Sequence, residues 1–410
     1  MTLSKQARIW VVDPGLMEAG GHHAALAETL CQYYRHHKDN HNINFDVSVL
    51  AHQLFDNGLK TQLEESGLTV SRHFASLFYK YFHDGVTLGP AGVQEYVRQL
   101  CSEYQLALDE AITQSLENRI VLFFPCLNWE HAWALDMAIA RCGQSIVQAD
   151  LHMVCCAMYS PTQTTKLSNQ KMWFRMGFQR LISHPFLSLY ASEYELCQAY
   201  QDLINCDAIE NHPCYLMDWS SLRNQSTNKH AVDIPGNTVL LYLGDAKEDK
   251  GFNRLPEVLK SALANSSKDT HFLIQFTLAW AYPELSDCIS QLKAWAETEP
   301  RLILHHGFWS NDQLAQVMMR ISLAVCTYDT NVYQNKSSGL VWMLAFFDRP
   351  FIIDAPCWLT REAQRLGVRY QVSPDLALLN IQDDSSNIKT NVESYKETMF
   401  EPLFSWLVNH

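Results

Sequence analysis

The chain has 410 residues, of which 47% are hydrophobic and 18% charged, and its formal net charge is −13. That length suits about two domains, each large enough to bury a core of its own. The acidic balance argues against a general nucleic-acid binder, which needs a basic footprint.

Short apolar runs alternate with helix-length amphipathic stretches along the chain. In the first half, strands are expected over 8–13, 45–51, 119–125, 145–154 and 186–191, and helices over 22–36, 91–116 and 130–142. The polar stretch SSLRNQSTNK, which follows Trp219, reads as part of an interdomain linker over 219–236. Beyond it, strands are expected over 238–243, 271–276 and 302–305, and helices over 252–263, 283–295 and 311–320. An apolar run over 323–328 then meets a polar loop ending in Lys336-Ser337-Ser338-Gly339, followed by an apolar helix of about a dozen residues. Asp348-Arg349-Pro350 leads into a strand over 351–353 and a helix over 358–366. The last stretch, 391–408, is amphipathic and helical, with a kink expected at Pro402. This order predicts two doubly wound, Rossmann-like α/β domains, 1–218 and 237–390, facing a central cleft. The segment 391–410 is expected to cross back onto the first domain.

The start, MTLSKQARIWVVD, carries no long apolar core ahead of a cleavage site, so no signal peptide is expected. No apolar run reaches the roughly 18 residues of a spanning helix. The twelve cysteines are scattered, with Cys155-Cys156 the one close pair, and no CxxC spacing occurs. Neither a zinc site nor a disulfide scaffold is indicated, and reduced thiols in a cytoplasmic protein fit this usage.

Five segments carry candidate chemistry. In Gly244-Asp-Ala-Lys247-Glu-Asp-Lys250-Gly251 a strand runs into a glycine and a loop with two lysines, where Lys250 could neutralise a phosphate. The plain alternative is a solvated turn on which Lys247 and Lys250 balance Asp245, Glu248 and Asp249. After the first strand comes Asp13-Pro14-Gly15, then Gly20-Gly21-His22-His23 opening a helix. Paired glycines let a ligand approach the backbone, although the spacing is not GxGxxG. A flexible turn with two surface histidines is the alternative. His152, at the end of the run over 145–154, is expected near the carboxyl edge of the sheet, to move a proton or bond a sugar hydroxyl; a structural histidine is the alternative. From Leu151 to Ser192 there is no acidic residue, while Lys166, Lys171, Arg175 and Arg180 interleave with Trp173, Phe174, Met176 and Phe178. Such a segment, 166–181, suits an anionic membrane surface, a lipid-linked acceptor or an acidic partner, or else is a mobile loop packed on its own domain. Finally, the helix start at Ser337-Ser338-Gly339 offers backbone N–H groups and a positive dipole end to a phosphate.

Taken in order, the glycine turn after the first strand, Gly244…Lys250-Gly251, His305-His306-Gly307-Phe308-Trp309-Ser310 and the Ser-Ser-Gly helix with Pro350 resemble the GT-B glycosyltransferases, specifically the retaining group called family 4. The likeness spans nearly the whole chain and is strongest from Val239 to about Gly367. It implies an enzyme of the cytoplasm, free or peripheral at the inner face of the membrane, that uses a UDP- or GDP-linked sugar. It implies no metal, no tightly bound cofactor and no nucleic-acid partner. Glycan, lipid-linked and protein acceptors all fit. By position, Lys250 and Lys247 would meet the donor phosphates with Gly244, Ser337, Ser338 and Gly339. Gly307 and Phe308 would lie beside the base, Gly20 and Gly21 would face the donor, and His152 would contact the transferred sugar. His152 and Lys250 are thus the catalytic candidates, and Lys171, Trp173 and Arg175 the acceptor or membrane surface. The chain departs from the pattern at Asp245, where the family has arginine, and at Asp348-Arg349, where it has glycine before the proline. The family's paired glutamates fall at Asn335 and Met343, and a methionine cannot accept bonds from ribose hydroxyls as a carboxylate does. A non-catalytic GT-B binding protein, or a sugar-nucleotide epimerase or hydrolase on the same fold, are the alternatives.

Overall fold

The computed structural model describes residues 7–39, 45–78, 89–162, 170–212, 234–278, 283–376 and 401–409. The chain divides into two compact units, Met1–Met217 with Lys396–His410, and Asp218–Tyr395.

The first unit runs β1 (Ala7–Val12), α1 (Gly21–Asp39), β2 (Phe45–His52), α2 (Asn57–Glu65), β3 (Thr69–Phe74), α3 (Pro90–Gln114), β4 (Arg119–Leu127), α4 (Trp129–Cys142) and α5 (Gln144–Gln148). It continues with β5 (Leu151–Ala157), α6 (Gln170–Leu181), β6 (Leu187–Ala191), α7 (Tyr194–Ile204) and β7 (Glu210–Asn211). Its sheet has the order β3-β2-β1-β4-β5-β6-β7 and is parallel throughout. Parallel strands covered by helices on both faces read as continuous apolar runs, and β4, RIVLFFPCL, is buried from Ile120 to Leu127. Pro125 interrupts that strand because it has no N–H for the ladder. Pairing of β1 with β4 ends at Val11 and Phe123, and the β4–β5 register shifts between Phe124 and Leu127.

The second unit runs β8 (Thr238–Asp245), α8 (Leu255–Asn265), β9 (His271–Thr277), α9 (Ser286–Thr298), β10 (Leu302–His306) and α10 (Asn311–Arg320). It ends with β11 (Ile321–Cys326), α11 (Gly339–Phe346), β12 (Phe351–Ile353), α12 (Trp358–Leu366) and β13 (Tyr370–Val372). The order β10-β9-β8-β11-β12-β13 is again parallel. Helix α11 is apolar all round and packs inside the unit, with Val341, Trp342, Leu344, Ala345 and Phe346 buried. Each such large side chain contributes about 1.5–3 kcal/mol relative to exposure. The Trp342 indole N–H donates to Glu362 Oε1 at 2.7 Å, and Arg365 holds the same carboxylate at 2.6 Å, so the buried polar groups are matched.

Several expectations need correcting. The run 145–154 is not one strand: Gln144–Gln148 is helical and β5 starts only at Leu151. The stretch that includes KMWFRMGF is helix α6 from Gln170, not a loop. The apolar helix after Ser338 is shorter than a dozen residues, covering Gly339–Phe346. Asp348 follows it at φ 50°, a left-handed conformation that Asp tolerates better than most residues. Helix α2, helix α7 and the edge strands β3, β7 and β13 were not expected. Residues 219–233 of the expected linker, Lys166, and 391–400 of the expected terminal helix lie outside the described residues. The described helix α13 (Glu401–Asn409) has Pro402 in its first turn, where the missing N–H breaks no helical bond. Its Phe404 stacks on Tyr33 at 4.4 Å and its Trp406 on His212 at 4.9 Å, both in the first unit.

Candidate functional site

In the second sheet the chain leaves β8 for β9 on one side and returns to β11 on the other. The crossovers that follow β8 and β11 therefore run to opposite sides, which places the crevice where doubly wound sheets bind ligands at the carboxyl ends of these two strands. The loop after β8 holds Gly244 to Gly251, and the loop after β11 holds Thr327 to Ser338. Gly251 makes their close approach possible. At φ 73° it takes a left-handed conformation, and a Cβ there would stand 1.9 Å from the Thr327 carbonyl oxygen. Thr327 Oγ1 donates to the Lys250 carbonyl at 2.9 Å, and Asp329 N donates to the Asp249 carbonyl at 2.9 Å.

The lysines at this crevice are not equivalent. Lys247 pairs with Asp245 at 3.2 Å, and Lys336 pairs with Asp249 while lying 4.9 Å over the Tyr333 ring. Lys250 has no carboxylate at ion-pair distance among the described residues, and its Nζ sits where a Cβ on Gly244 would be 3.2 Å away. Burial pushes the Lys250 pKa down from 10.5 to about 8, with the charge of Lys247 adding to the effect and Asp249 opposing it. An ammonium held this way, still protonated near neutrality, is poised to gain from an anion.

The neighbouring strand ends are tied to the same place. Buried Gln275 on β9 accepts from Gly244 N at 2.8 Å and donates to the Gly307 carbonyl at 2.6 Å. Gly307 adopts φ 122°, and Phe308 beside it is 55% exposed, so an aromatic face stands open next to the strand end. Ser338 caps α11 by accepting from Leu340 N, and its Oγ lies 3.1 Å from Tyr328 OH. Arg254 reaches Asp354 at 2.7 Å and the Thr327 carbonyl at 3.1 Å. Gly244, Lys247, Lys250, Gly307, Phe308, Ser337, Ser338 and Gly339 thus all fall at the carboxyl edge of this sheet. Gln275, Thr327 and Arg254 were missed; a glutamine inside the apolar run HFLIQFT was the available signal for the first.

In the first unit, Gly20 and Gly21 lie after β1 at the corresponding switch point, with Gly21 at φ 82°. His23 is buried, not a surface residue. His152 is misplaced by the sequence reading. It is the second residue of β5, at the amino end of the strand, where it meets Ser188 Oγ at 2.9 Å. A histidine that does stand at the carboxyl end is His131, in the first turn of α4, between Tyr104 OH at 2.8 Å from Nδ1 and Tyr96 OH at 3.3 Å from Nε2. Tyr96 OH donates to the Leu77 carbonyl at 2.7 Å, so its oxygen is left to accept from Nε2–H while Tyr104 donates to Nδ1. Burial pushes the His131 pKa down to about 3, which keeps the ring neutral.

Glu130 beside it is fully buried, and burial raises its carboxyl from 4.5 to about 8 against the bond from Asn128. The folded chain keeps that proton between about pH 4.5 and 8 while the unfolded chain releases it, so stability falls as pH rises through that window. Glu130→Gln should remove this loss. Denaturant melts at about pH 8.5 should show the variant gaining on the order of 2 kcal/mol on the parent, relative to about pH 6. An unchanged pH profile would show that Glu130 is not the group responsible.

On α6, Lys171 and Arg175 are exposed, as are Met172 and Met176, while Trp173 turns inward against Trp129 at 5.3 Å and Trp133 at 5.4 Å. Trp173 therefore packs on its own unit. Among the described residues no helix is long and apolar enough to cross a membrane.

Two parallel, doubly wound sheets in one chain, each with a switch-point crevice, are the domains of the GT-B fold. Solved structures match over nearly the whole chain. Trehalose-6-phosphate synthase from Burkholderia multivorans has a TM-score of 0.61 at 7% identity, covering 99% of this chain and 98% of that one. HepE from Anabaena in complex with UDP-glucose has a TM-score of 0.56 at 14% identity, covering 98% of each chain. UDP-GlcNAc 2-epimerase from Methanocaldococcus jannaschii has a TM-score of 0.55 at 10% identity, covering 98% of this chain and 99% of that one. At these identities the likeness is one of fold. No protein-family model matches the sequence, and comparison with curated proteins by sequence returns no match.

Proposed function

We propose that the chain is a glycosyltransferase that moves a sugar from a UDP- or GDP-linked donor to a glycan, lipid-linked or protein acceptor. Retention of configuration, a donor site without metal, and a donor domain over 237–390 come with the family 4 resemblance. Lys250 carries the proposal. It is a half-buried ammonium with no carboxylate at ion-pair distance among the described residues, at the switch point of a doubly wound sheet and over a glycine. Breaking the bond between the sugar and the donor oxygen leaves a nucleoside diphosphate, whose negative charge grows in the transition state. An ammonium and the N–H groups at the start of α11 stabilise that charge more than the ground state, which raises rate and not only affinity. The structure of HepE with UDP-glucose supports a nucleotide-sugar ligand for this fold.

A second reading is a sugar-nucleotide epimerase or hydrolase. It is favoured by the two sugar-nucleotide epimerases among the structural neighbours. Labelled donor incubated with and without candidate acceptors separates the readings. Label in the acceptor supports transfer; free sugar or an inverted epimer in all incubations supports the second reading.

The exposed face of α6, with Lys171 and Arg175, is part of the same proposal, as a peripheral contact of a cytoplasmic enzyme with an anionic membrane or a lipid-linked acceptor. Each basic residue near such a surface contributes about 1 kcal/mol. Lys171→Ser with Arg175→Ser should weaken sedimentation with phosphatidylserine vesicles by about thirtyfold and leave nucleotide binding intact. Equal sedimentation of parent and variant would remove the membrane role.

A further inference from the structure

The first unit holds a donor cluster that the glycosyltransferase reading does not use. His22 and His23 open α1, and Cys126 is the penultimate residue of β4, more than a hundred positions later. One ligand atom from each lies within 4.8 Å of the other two. The two imidazole rings are 4.2 Å apart, centroid to centroid.

The surroundings resemble those of a metal-binding histidine. His23 Nδ1 is 2.9 Å from the carboxylate of Asp13, and Asp13 in turn accepts from Gly15 N at 2.9 Å. Asp13 is 2% exposed and His23 8%. A buried carboxylate that fixes Nδ1 selects the tautomer and turns Nε2 into the ligating nitrogen. Gly15 makes room for this ring, since a Cβ there would stand 2.1 Å from His23 Cε1. Cys126 follows Pro125, past the last β1–β4 pair and at the register shift that precedes the Leu127–Ala157 pair with β5, so this part of β4 is released from its β1 neighbour. Met158 Sδ lies 2.9 Å from Cys126 Sγ, which makes the neighbourhood richer in sulfur.

We propose that His22, His23 and Cys126 bind one Zn(II) ion, with Asp13 as the positioning carboxylate and water in the fourth position. Two imidazoles and one thiolate form a zinc donor set, with metal bonds of about 2.0–2.3 Å. The ligand atoms, now within 4.8 Å of one another, would have to draw together around the ion, with half-buried His22 turning toward the other two. On binding, the Cys126 thiol gives up its proton to solvent and its sulfur takes the metal bond. The ion would join the start of α1 to the end of β4 and so fix the Gly20-Gly21 turn. This inference stands independently of the proposed reaction.

The full-length protein, stripped with a chelator and dialysed, would be titrated with Zn(II) while bound metal is measured by mass spectrometry. Co(II) would serve as a second probe, because a thiolate–cobalt bond gives a charge-transfer band. The expected result is one equivalent of Zn(II) and a cobalt–thiolate band in the parent and in Cys142→Ser, a control at a cysteine elsewhere. Cys126→Ser should lose the band and at least about tenfold in affinity, His22→Ala at least about tenfold in affinity with the band surviving at saturating cobalt, and Asp13→Asn about tenfold with the band retained. His22→Ala alters a partly exposed side chain and keeps the test decisive if Cys126→Ser does not fold. No stoichiometric zinc in the parent would overturn the assignment. So would equal binding by parent and His22→Ala, or uptake of Cu(I) by a protein that does not retain Zn(II).

Discussion

Lys250→Ala is expected to lower turnover of a nucleotide-sugar donor by about a hundredfold to a thousandfold, the scale of removing one preorganised donor to a developing oxyanion. Stability should hardly fall, and could rise slightly, because the native state without ligand bears the cost of keeping this cation partly desolvated. Steady-state kinetics beside a thermal melt decide the matter. Parallel losses in both would make Lys250 a structural residue of the loop. Lys247→Ala is the informative comparison, since Lys247 already has Asp245 as its partner and should cost far less.

Gly251→Ala is expected to be the most damaging single change in the second unit. Two costs add there. A left-handed φ of 73° penalises any side chain, and the new Cβ would meet the Thr327 carbonyl at 1.9 Å, a contact only backbone movement can relieve. A loss of about 3 kcal/mol or more in denaturant unfolding is expected, together with loss of nucleotide binding as the β8 and β11 loops separate. A variant as stable as the parent would mean that these loops are not held in the described contact.

Much of this architecture was legible because parallel strands and their helices have different apolar periods. IWVV, VLLYL and FLIQF stand out as strands, and Asn311–Arg320 and Trp358–Leu366 as helices. Failures occurred where the residues themselves mislead. SIVQ reads as β because of its branched side chains, yet it is helical after Gly143, and that error carried His152 to the wrong end of its strand. Strand β3, TVSRHF, is too polar to stand out at the sheet edge. Lys250 and Gly251 could be found because a strand–glycine–lysine order is local. Gln275, the His131 network and the cluster of His22, His23 and Cys126 could not, since each joins residues far apart in sequence. The absence of CxxC spacing argued against zinc only for sites built from neighbouring residues.

The most direct test of the central claim is calorimetric titration with UDP and GDP of the parent and Lys250→Ala, from about pH 7 to pH 9.5. In the free protein Lys250 gives up its proton near pH 8, while a bound diphosphate would raise that value by holding the charged form. The diphosphate's last proton leaves at a pKa of about 6–7, so the ligand's own ionisation is nearly complete from about pH 8, where the predicted fall begins. The account predicts that one of the two nucleotides binds the parent, with affinity falling up to about tenfold per pH unit above about pH 8, and that Lys250→Ala binds far more weakly with a flat profile. Binding that is equal in parent and variant and flat with pH, or no binding of either nucleotide, would contradict it.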